Sequence, residues 1–393
     1  MKPFMKGREN RDAQKKSLIF ILCLIPILVP ACNSKPEDAG EDPVVVADQE
    51  PTGSQESAGE LSNYLVQAEG SIQLRREGWK DFLPTGFGAL VEPGDLLRVD
   101  DGGLASVFCG SDAAWDEGLV ALAADGLEHG VPCQSGRPPR PWTDTAALRG
   151  VGNRDVPYII APRNTALRED QPALHWHKME GNETYAVSLI GEDMLDRPPV
   201  DTDSVEIPWP DAWPPLEPGA TYVLIVEAGN IKSNDGNEAN VGLGFWLLPE
   251  TEMERIQELE LAIRAQNLSS QGTDLLLAEI CQINHLYSEA NRLFQSALRY
   301  QPSPALWLEY GRVQLETGLA AEAIEAFSQA LDAAKTSGQL HVQAESLLGL
   351  GLGYRMLGDE ARAVEYFKTA AEIFQQIGDQ RGISHADELI RNQ

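Results

Sequence analysis

The chain has 393 residues, of which 23% are charged and 42% hydrophobic, and its formal charge is −29. That length leaves room for two to four domains, each with its own core, and the composition is that of a folded chain. So large an excess of acid excludes phosphate-driven binding to nucleic acid and any general attraction to anionic lipid head groups, because both need clustered Lys and Arg.

The N-terminus sets Lys2, Lys6, Arg8, Arg11, Lys15 and Lys16 against Glu9 and Asp12, and then runs apolar from Leu18 to Val29. At about 1.5 Å of rise per residue this run is too short for a membrane core of about 30 Å. A basic start, a short apolar middle and a small-residue exit predict a secretory signal over residues 1–31. The exit, Val29-Pro30-Ala31-Cys32, resembles the bacterial lipobox, in which a small residue precedes a cysteine that is lipidated after cleavage. Pro30 departs from the commonest residue at its place. The resemblance implies lipidation at Cys32, a lipid bilayer as partner through that anchor, and a secreted, membrane-anchored chain facing the periplasm or cell exterior. By the same resemblance Asn33 gives no signal for inner-membrane retention. An ordinary signal peptide with an incidental cysteine is the alternative. Residues 32–60, rich in Glu, Asp, Gly, Ser and Pro, read as a disordered acidic tether.

Residues 61–140 turn to short apolar stretches broken by glycine turns. Leu65-Val66, Ile72 to Leu74, Leu96 to Val99 and Leu104 to Phe108 read as strands, with breaks at Glu69-Gly70, Pro93-Gly94-Asp95 and Asp100 to Gly103. The segments AEGSIQLRREGW and LVEPGDLLRVDDGGLASVFC resemble the FecR-like periplasmic β domain. In its best-known members that domain relays a surface signal to a cytoplasmic regulator, but this chain shows no cytoplasmic segment for such a relay. Cys109 and Cys133 lie in this module, and secretion into an oxidising compartment makes a disulfide between them the expected state. A two-cysteine metal site, lacking its third and fourth ligands, and two free thiols are the alternatives.

Residues 155–248 show a second set of strands: Leu174 to Trp176, Thr184 to Leu189, Val223 to Ala228 and, last, Phe245 to Leu248. The turn Leu216-Glu217-Pro218-Gly219 ahead of Tyr222, with Trp176 as core residue of an early strand, resembles an immunoglobulin or fibronectin type III sandwich. His175 and His177 share one strand face; with Trp176 pointing inward both point to solvent, and no third ligand is fixed by spacing. The loop Ser233 to Glu238 lacks the spacing of a calcium loop and reads as a solvated turn, as does the acidic run Glu192-Asp193 through Asp201 and Asp203.

Residues 251–393 are expected to be helical throughout, with Glu252 to Gln266 as a linking helix. Ala290, Phe294 and Ala297 return 33 residues later as Ala323, Phe327 and Ala330, and 40 residues after that as Ala363, Phe367 and Ala370. A small residue stands at one place in the helix ahead of each trio, Ala278, Gly311 and Gly351, and Gly318 and Gly358 mark turns. This register resembles the tetratricopeptide repeat (TPR): three helical hairpins, which bury their faces only by stacking, and a capping helix at Arg381 to Arg391. Cys281 reads as a small buried apolar residue. Gly349 to Gly353 follows no strand and breaks the phosphate-loop spacing at Met356, so helix packing is its reading. By the resemblance, protein partners lie along the inner face of the first helices, where the matching polar positions are Gln282, Arg312, Glu316 and Arg355.

The fold class is therefore multidomain, β then α: two small antiparallel β modules followed by an all-α TPR helical-hairpin solenoid. The function that follows is a membrane-anchored extracytoplasmic scaffold, with the β modules raising the solenoid off the membrane and the solenoid binding partner proteins of the cell envelope. An envelope sensor working through the FecR-like module is the alternative. An envelope hydrolase is a third reading; no nucleophile elbow, phosphate loop, zinc set or cofactor fingerprint marks one, and no cofactor or metal is expected.

Overall fold

The computed structural model describes residues 60–110, 118–140, 142, 156–193, 195, 197–235 and 242–392. The signal segment, Cys32, the tether as far as Gly59 and the end of the loop at Gly236 to Glu238 lie outside the described residues.

Among the described residues the first module has eight strands: β1 (Asn63–Glu69), β2 (Ile72–Arg75), β3 (Leu83–Thr85), β4 (Leu90–Val91), β5 (Leu96–Val99), β6 (Leu104–Phe108), β7 (Leu119–Ala121) and β8 (Glu128–Gly130). They form two antiparallel four-stranded sheets, in the orders β4-β1-β6-β7 and β3-β2-β5-β8. The β1–β6 pair shifts register between Leu65 and Gln67. Cys109 and Cys133 are joined by a disulfide, with Cα atoms 5.2 Å apart. It ties the end of the first sheet to the segment after β8. The longer predicted strands coincide with β1, β2, β5 and β6.

Among the described residues the second module has nine strands: β9 (Ile159–Ala161), β10 (Thr165–Leu167), β11 (Leu174–Trp176), β12 (Tyr185–Gly191), β13 (Val200–Thr202), β14 (Glu206–Ile207), β15 (Thr221–Ala228), β16 (Ile231–Lys232) and β17 (Gly244–Leu247). One sheet runs β10-β17-β15-β12-β13 with β16 on β15, and the other runs β14-β11-β9. All pairs are antiparallel except β10 with β17. The two sheets close on Trp176, Tyr185, Val187, Tyr222, Leu224, Val226 and Phe245. Asp193 is not solvated as expected. Its side chain and that of Arg197 are both 1% exposed and ion-paired, and the Tyr222 hydroxyl donates to Asp193 Oδ2 at 2.7 Å. Four residues of separation and a cationic partner bring this one acidic side chain inward, because a buried carboxylate is tolerated only when paired, while Glu192, Asp201 and Asp203 are exposed as expected.

Eight helices follow: α1 (Glu250–Ala265), α2 (Ser270–Ile283), α3 (Tyr287–Tyr300), α4 (Pro304–Glu316), α5 (Ala320–Ser337), α6 (Leu340–Met356), α7 (Glu360–Ile377) and α8 (Gln380–Arg391). Their starts are capped where the sequence supplies an oxygen: Ser269, Ser303, Asp359 and Asp379 accept from the amides of Gly272, Leu306, Arg362 and Gly382, each cap contributing about 1 kcal/mol. The helices pair as hairpins α2/α3, α4/α5 and α6/α7, with α8 against α7. The repeated Ala-Phe-Ala trios are completely buried. A Cβ on Gly311 or Gly349 would overlap the Phe327 ring, one on Gly351 the Phe367 ring, and one on Gly382 the Phe374 ring. Small residues are therefore required at those places in α4, α6 and α8.

The first module packs into the helices rather than standing apart from them. Sheet β4-β1-β6-β7 is covered on both faces. Leu65, Ala105 and Val107 face the opposite sheet, in a core that continues into α4 to α8 through Phe327, Leu347, Phe367 and Phe374. Tyr64, Val66 and Phe108 face the other way, in a core with Leu275, Ala278, Phe294 and Leu306 of α2 to α4.

Candidate interaction groove

The first helix of each hairpin faces the first β module. On α2, α4 and α6 the polar residues of that face recur at helical spacing: Glu279 and Gln282, then Glu309, Arg312 and Glu316, then His341 and Glu345. Glu279 accepts from Ser62 Oγ at 2.9 Å and from the Tyr64 hydroxyl at 3.0 Å. His341 lies 4.9 Å from the Trp79 ring. Farther along, the Trp79 indole donates to Asp379 at 3.2 Å and Lys80 Nζ to the carbonyls of Gln375 and Gln376 at 2.8 and 2.9 Å. Arg381 forks onto Glu92 at 2.8 and 3.0 Å.

Between module and helices runs the segment that leaves Cys133. Arg140 lines a small polar cleft together with Ser62, Tyr64, Leu90, Glu279, Glu309 and Arg312. Its Nη2 is 3.9 Å from Glu279 Oε2, and its carbonyl accepts from Arg312 Nη1 at 3.3 Å. Trp142 is 8% exposed. Its indole donates to Glu345 Oε2 at 2.7 Å, its ring lies 3.6 Å beneath the Arg312 guanidinium, and its edge meets Phe327 at 5.6 Å. Arg312 also pairs with Glu345 at 2.8 Å and with Glu309 at 3.5 Å.

Burial sets the electrostatics. It raises the carboxyls of Glu309 and Glu316 above the usual carboxylate range, against the pull of Arg312 and Arg140. Burial works against the Arg140 cation, yet Glu279, Glu309, Tyr287 and Glu316 together hold its guanidinium more firmly protonated than usual. The His285 imidazole is lowered by burial and by Arg140 and Arg137.

The four predicted partner-binding positions do not form an open inner face. Gln282 is 1% exposed, and neither polar atom of its amide has a hydrogen bond among the described residues. Arg312 is held by Trp142, Glu345 and Glu309. Glu316 lies in the same groove as Arg140, and its backbone carbonyl accepts from Asn164 Nδ2 at 2.5 Å. Arg355 faces elsewhere: fully buried, it pairs with Glu360 at 2.7 Å, donates to the Leu389 carbonyl at 2.7 Å and stacks on Phe367, pinning α6 to α7 and α8. For Arg312 the reason is that the chain fills its own groove, with the Arg140 carbonyl and the Trp142 ring against it. The reading missed Glu279, Glu309, Glu345, Arg140 and Trp142. Acidic residues inside the apolar runs of α2 and α4 were the available signal.

The second module joins the helices at their turns. Ala166 N and Thr165 Oγ1 donate to the His285 carbonyl at 2.9 and 3.0 Å, and Arg163 Nε donates to the Thr317 carbonyl at 2.6 Å. Glu260, Cys281 and Glu289 converge closely enough to hold a metal ion, but the Arg168 guanidinium lies among them, 2.5 Å from Glu260 and 3.4 Å from Glu289, and supplies the cation. Burial pushes the Cys281 thiol up to about 12. His177 stacks on Tyr158 at 4.7 Å.

With the hairpins described, a tetratricopeptide-repeat family model matches residues 302–376. The C-terminal region carries tetratricopeptide repeats. The match spans the second and third hairpins of the TPR region. Among solved structures, the N-terminal domain of stress-induced protein-1 from C. elegans is 16% identical, over 31% of this chain and 97% of that one, with a TM-score of 0.27. A Podospora anserina putative kinesin light chain with nearly identical TPR-like repeats is 18% identical, over 32% and 70%, with a TM-score of 0.27. MamA is 18% identical, over 32% and 68%, again with a TM-score of 0.27. No curated protein matches the chain.

Proposed function

We propose that the protein is a membrane-anchored, extracytoplasmic scaffold that binds partner proteins through its TPR solenoid and carries out no reaction of its own. The observation that supports this reading is the groove, where three inner helices grip a length of polypeptide by carboxylates, a cation–π contact and an indole hydrogen bond. The signal-like N-terminus, the lipobox-like residues ending at Cys32 and the acidic tether support the location. A disulfide is at home in the oxidising compartment that this location implies. The FecR-like and immunoglobulin-like resemblances belong to the same reading, as envelope modules that carry the repeats.

The test is fatty-acid labelling together with crosslinking mass spectrometry on intact cells, comparing wild type, Cys32→Ala and the pair Glu309→Gln with Glu345→Gln. Label should enter wild type and not Cys32→Ala, and one set of envelope proteins should be captured by wild type and lost from the groove variant. Capture of the same set by the groove variant moves recognition to the β modules. That outcome favours the second reading, an envelope sensor, for which the continuous core between first module and helices is the supporting observation: a ligand on one is felt by the other.

A further inference from the structure

Residues 135–142 read Ser-Gly-Arg-Pro-Pro-Arg-Pro-Trp. Pro138 and Pro139 each hold φ at about −65° and favour extended backbone in the residue before them. The described part of the segment accordingly forms no helix or strand, and such a chain loses little freedom on docking. Its near end is held by the first module. Asn63 Nδ2 donates to the Ser135 carbonyl at 3.1 Å, Arg137 N donates to the Leu61 carbonyl at 3.0 Å, and a Cβ on Gly136 would overlap the Asn63 amide. Its far end is read by the helices, Arg140 by the acidic pocket and Trp142 by Glu345, Arg312 and Phe327.

The groove has more recognition chemistry than a strut uses. Arg140 Nη2 and both polar atoms of Gln282, one helical turn from Glu279, are buried with no hydrogen bond among the described residues. Glu309 is 5% exposed, and its charge is met only partly, by Arg312 and Arg140. An apolar filler would close the same space without desolvating any of these groups. The arrangement of a carboxylate pocket followed by a cation-faced, carboxylate-tipped aromatic slot is that of a site for an arginine and, two residues on, a tryptophan.

We propose that the groove of α2, α4 and α6 binds proline-rich segments of partner proteins that carry Arg-Pro-Trp, and that residues 135–142 are the resident occupant which such a partner displaces. The proposal rests on the scaffold reading and names its ligand. A tethered occupant competes at an effective concentration of order millimolar, so a trans ligand of micromolar affinity binds the wild-type chain roughly 1,000-fold more weakly than the vacated groove.

The experiment titrates a fluorescein-labelled peptide of the sequence Ser135 to Trp142 into the purified full chain. The proteins are wild type, the double variant Arg140→Ala with Trp142→Ala, and that variant with Glu309→Gln and Glu345→Gln added. Folding is checked by a cooperative melt. The double variant should bind at least tenfold more tightly than wild type, and the added groove substitutions should remove at least tenfold of that gain. A folded double variant that binds no better than wild type overturns the proposal and leaves the segment a strut. Should the double variant not fold, Arg140→Ala alone is read by the same criterion. A wild-type dimer that the peptide does not dissociate also overturns it, in favour of exchange between two copies. Because the readout is a synthetic peptide on purified protein, failure here leaves capture by other faces of the scaffold standing. Failure of capture in cells leaves the peptide result standing.

Discussion

Both β modules are two-sheet bodies, yet they meet the helices differently. The second closes its main core entirely on its own residues, from Ile159 to Leu247. It reaches the TPR region through hydrogen bonds at helix turns, such as those to the carbonyls of His285 and Thr317, through Arg168 on Glu260 and Glu289, and through smaller apolar contacts of Ala166, Trp246 and Leu248 with α1 to α4 and of Val156 and Tyr158 with Leu319. The first has no core that stops at its own boundary: Leu65 and Phe327 share one apolar body and Tyr64 and Phe294 another. One module is attached to the helices, and the other is folded into them. Damage to the second should stay local; damage to the first should spread.

The largest effects test that directly. Trp176→Ala and Phe327→Ala each remove a completely buried aromatic ring and should each cost about 3–5 kcal/mol. In hydrogen exchange by mass spectrometry, Trp176→Ala should raise exchange in β9 to β17 and leave α4 to α8 protected. Phe327→Ala should raise it in α4 to α8 and in the first module together. Equal spreading from Trp176→Ala would break the comparison.

A smaller effect sharpens it. The Cys109–Cys133 bond closes a separation of 24 residues, and losing it should cost about 3 kcal/mol through the freed unfolded chain. Cys133 belongs to the core that runs into α4 to α8. Reduction should therefore lower protection in those helices as well as in β1 to β8, with β9 to β17 unchanged in the same experiment.

The finest contrast is in pH. In the second module the Arg197 hydrogen bond, opposed by burial and helped by Tyr222, takes Asp193 down to about 2 from its ordinary 3.8. Its contribution is complete above 3.8 and is lost as pH falls through about 2. In the groove, burial raises Glu309 above its ordinary 4.5. From 4.5 up to that raised value the folded chain holds more protons than the unfolded one, so this contribution falls as pH rises. Thermal melts across pH should show Asp193→Asn flattening the acid side alone and Glu309→Gln flattening the decline above 4.5.

Much of this was legible in the sequence. The Ala-Phe-Ala trios and their facing glycines announce the hairpins because each repeat must solve the same packing problem. The longer strands announce themselves by alternation, whereas β3, β4, β7 and β8 have two or three residues each, too few for a period. The embedding of the first module had a fainter sign. Asn63, Tyr64, Leu65 and Val66 are buried in succession, as a strand covered on both faces must be, and the apolar run Tyr64-Leu65-Val66 departs from alternation. The groove was half legible. Arg312 does line it, but what it holds comes from residues 135–142, and no local pattern tells a proline-rich linker from a ligand.

One buried group bears on how the molecule reaches this state. Cys281 is the third described cysteine, completely enclosed beside Arg168, with its thiol pushed up to about 12. Exchange between sulfurs requires a thiolate with access to the bond it attacks, and in the folded chain Cys281 has neither. Once α2 and α3 have closed over it, the Cys109–Cys133 bond has no internal competitor among the described residues. The helices that cradle the first module thereby also guard its crosslink from reshuffling.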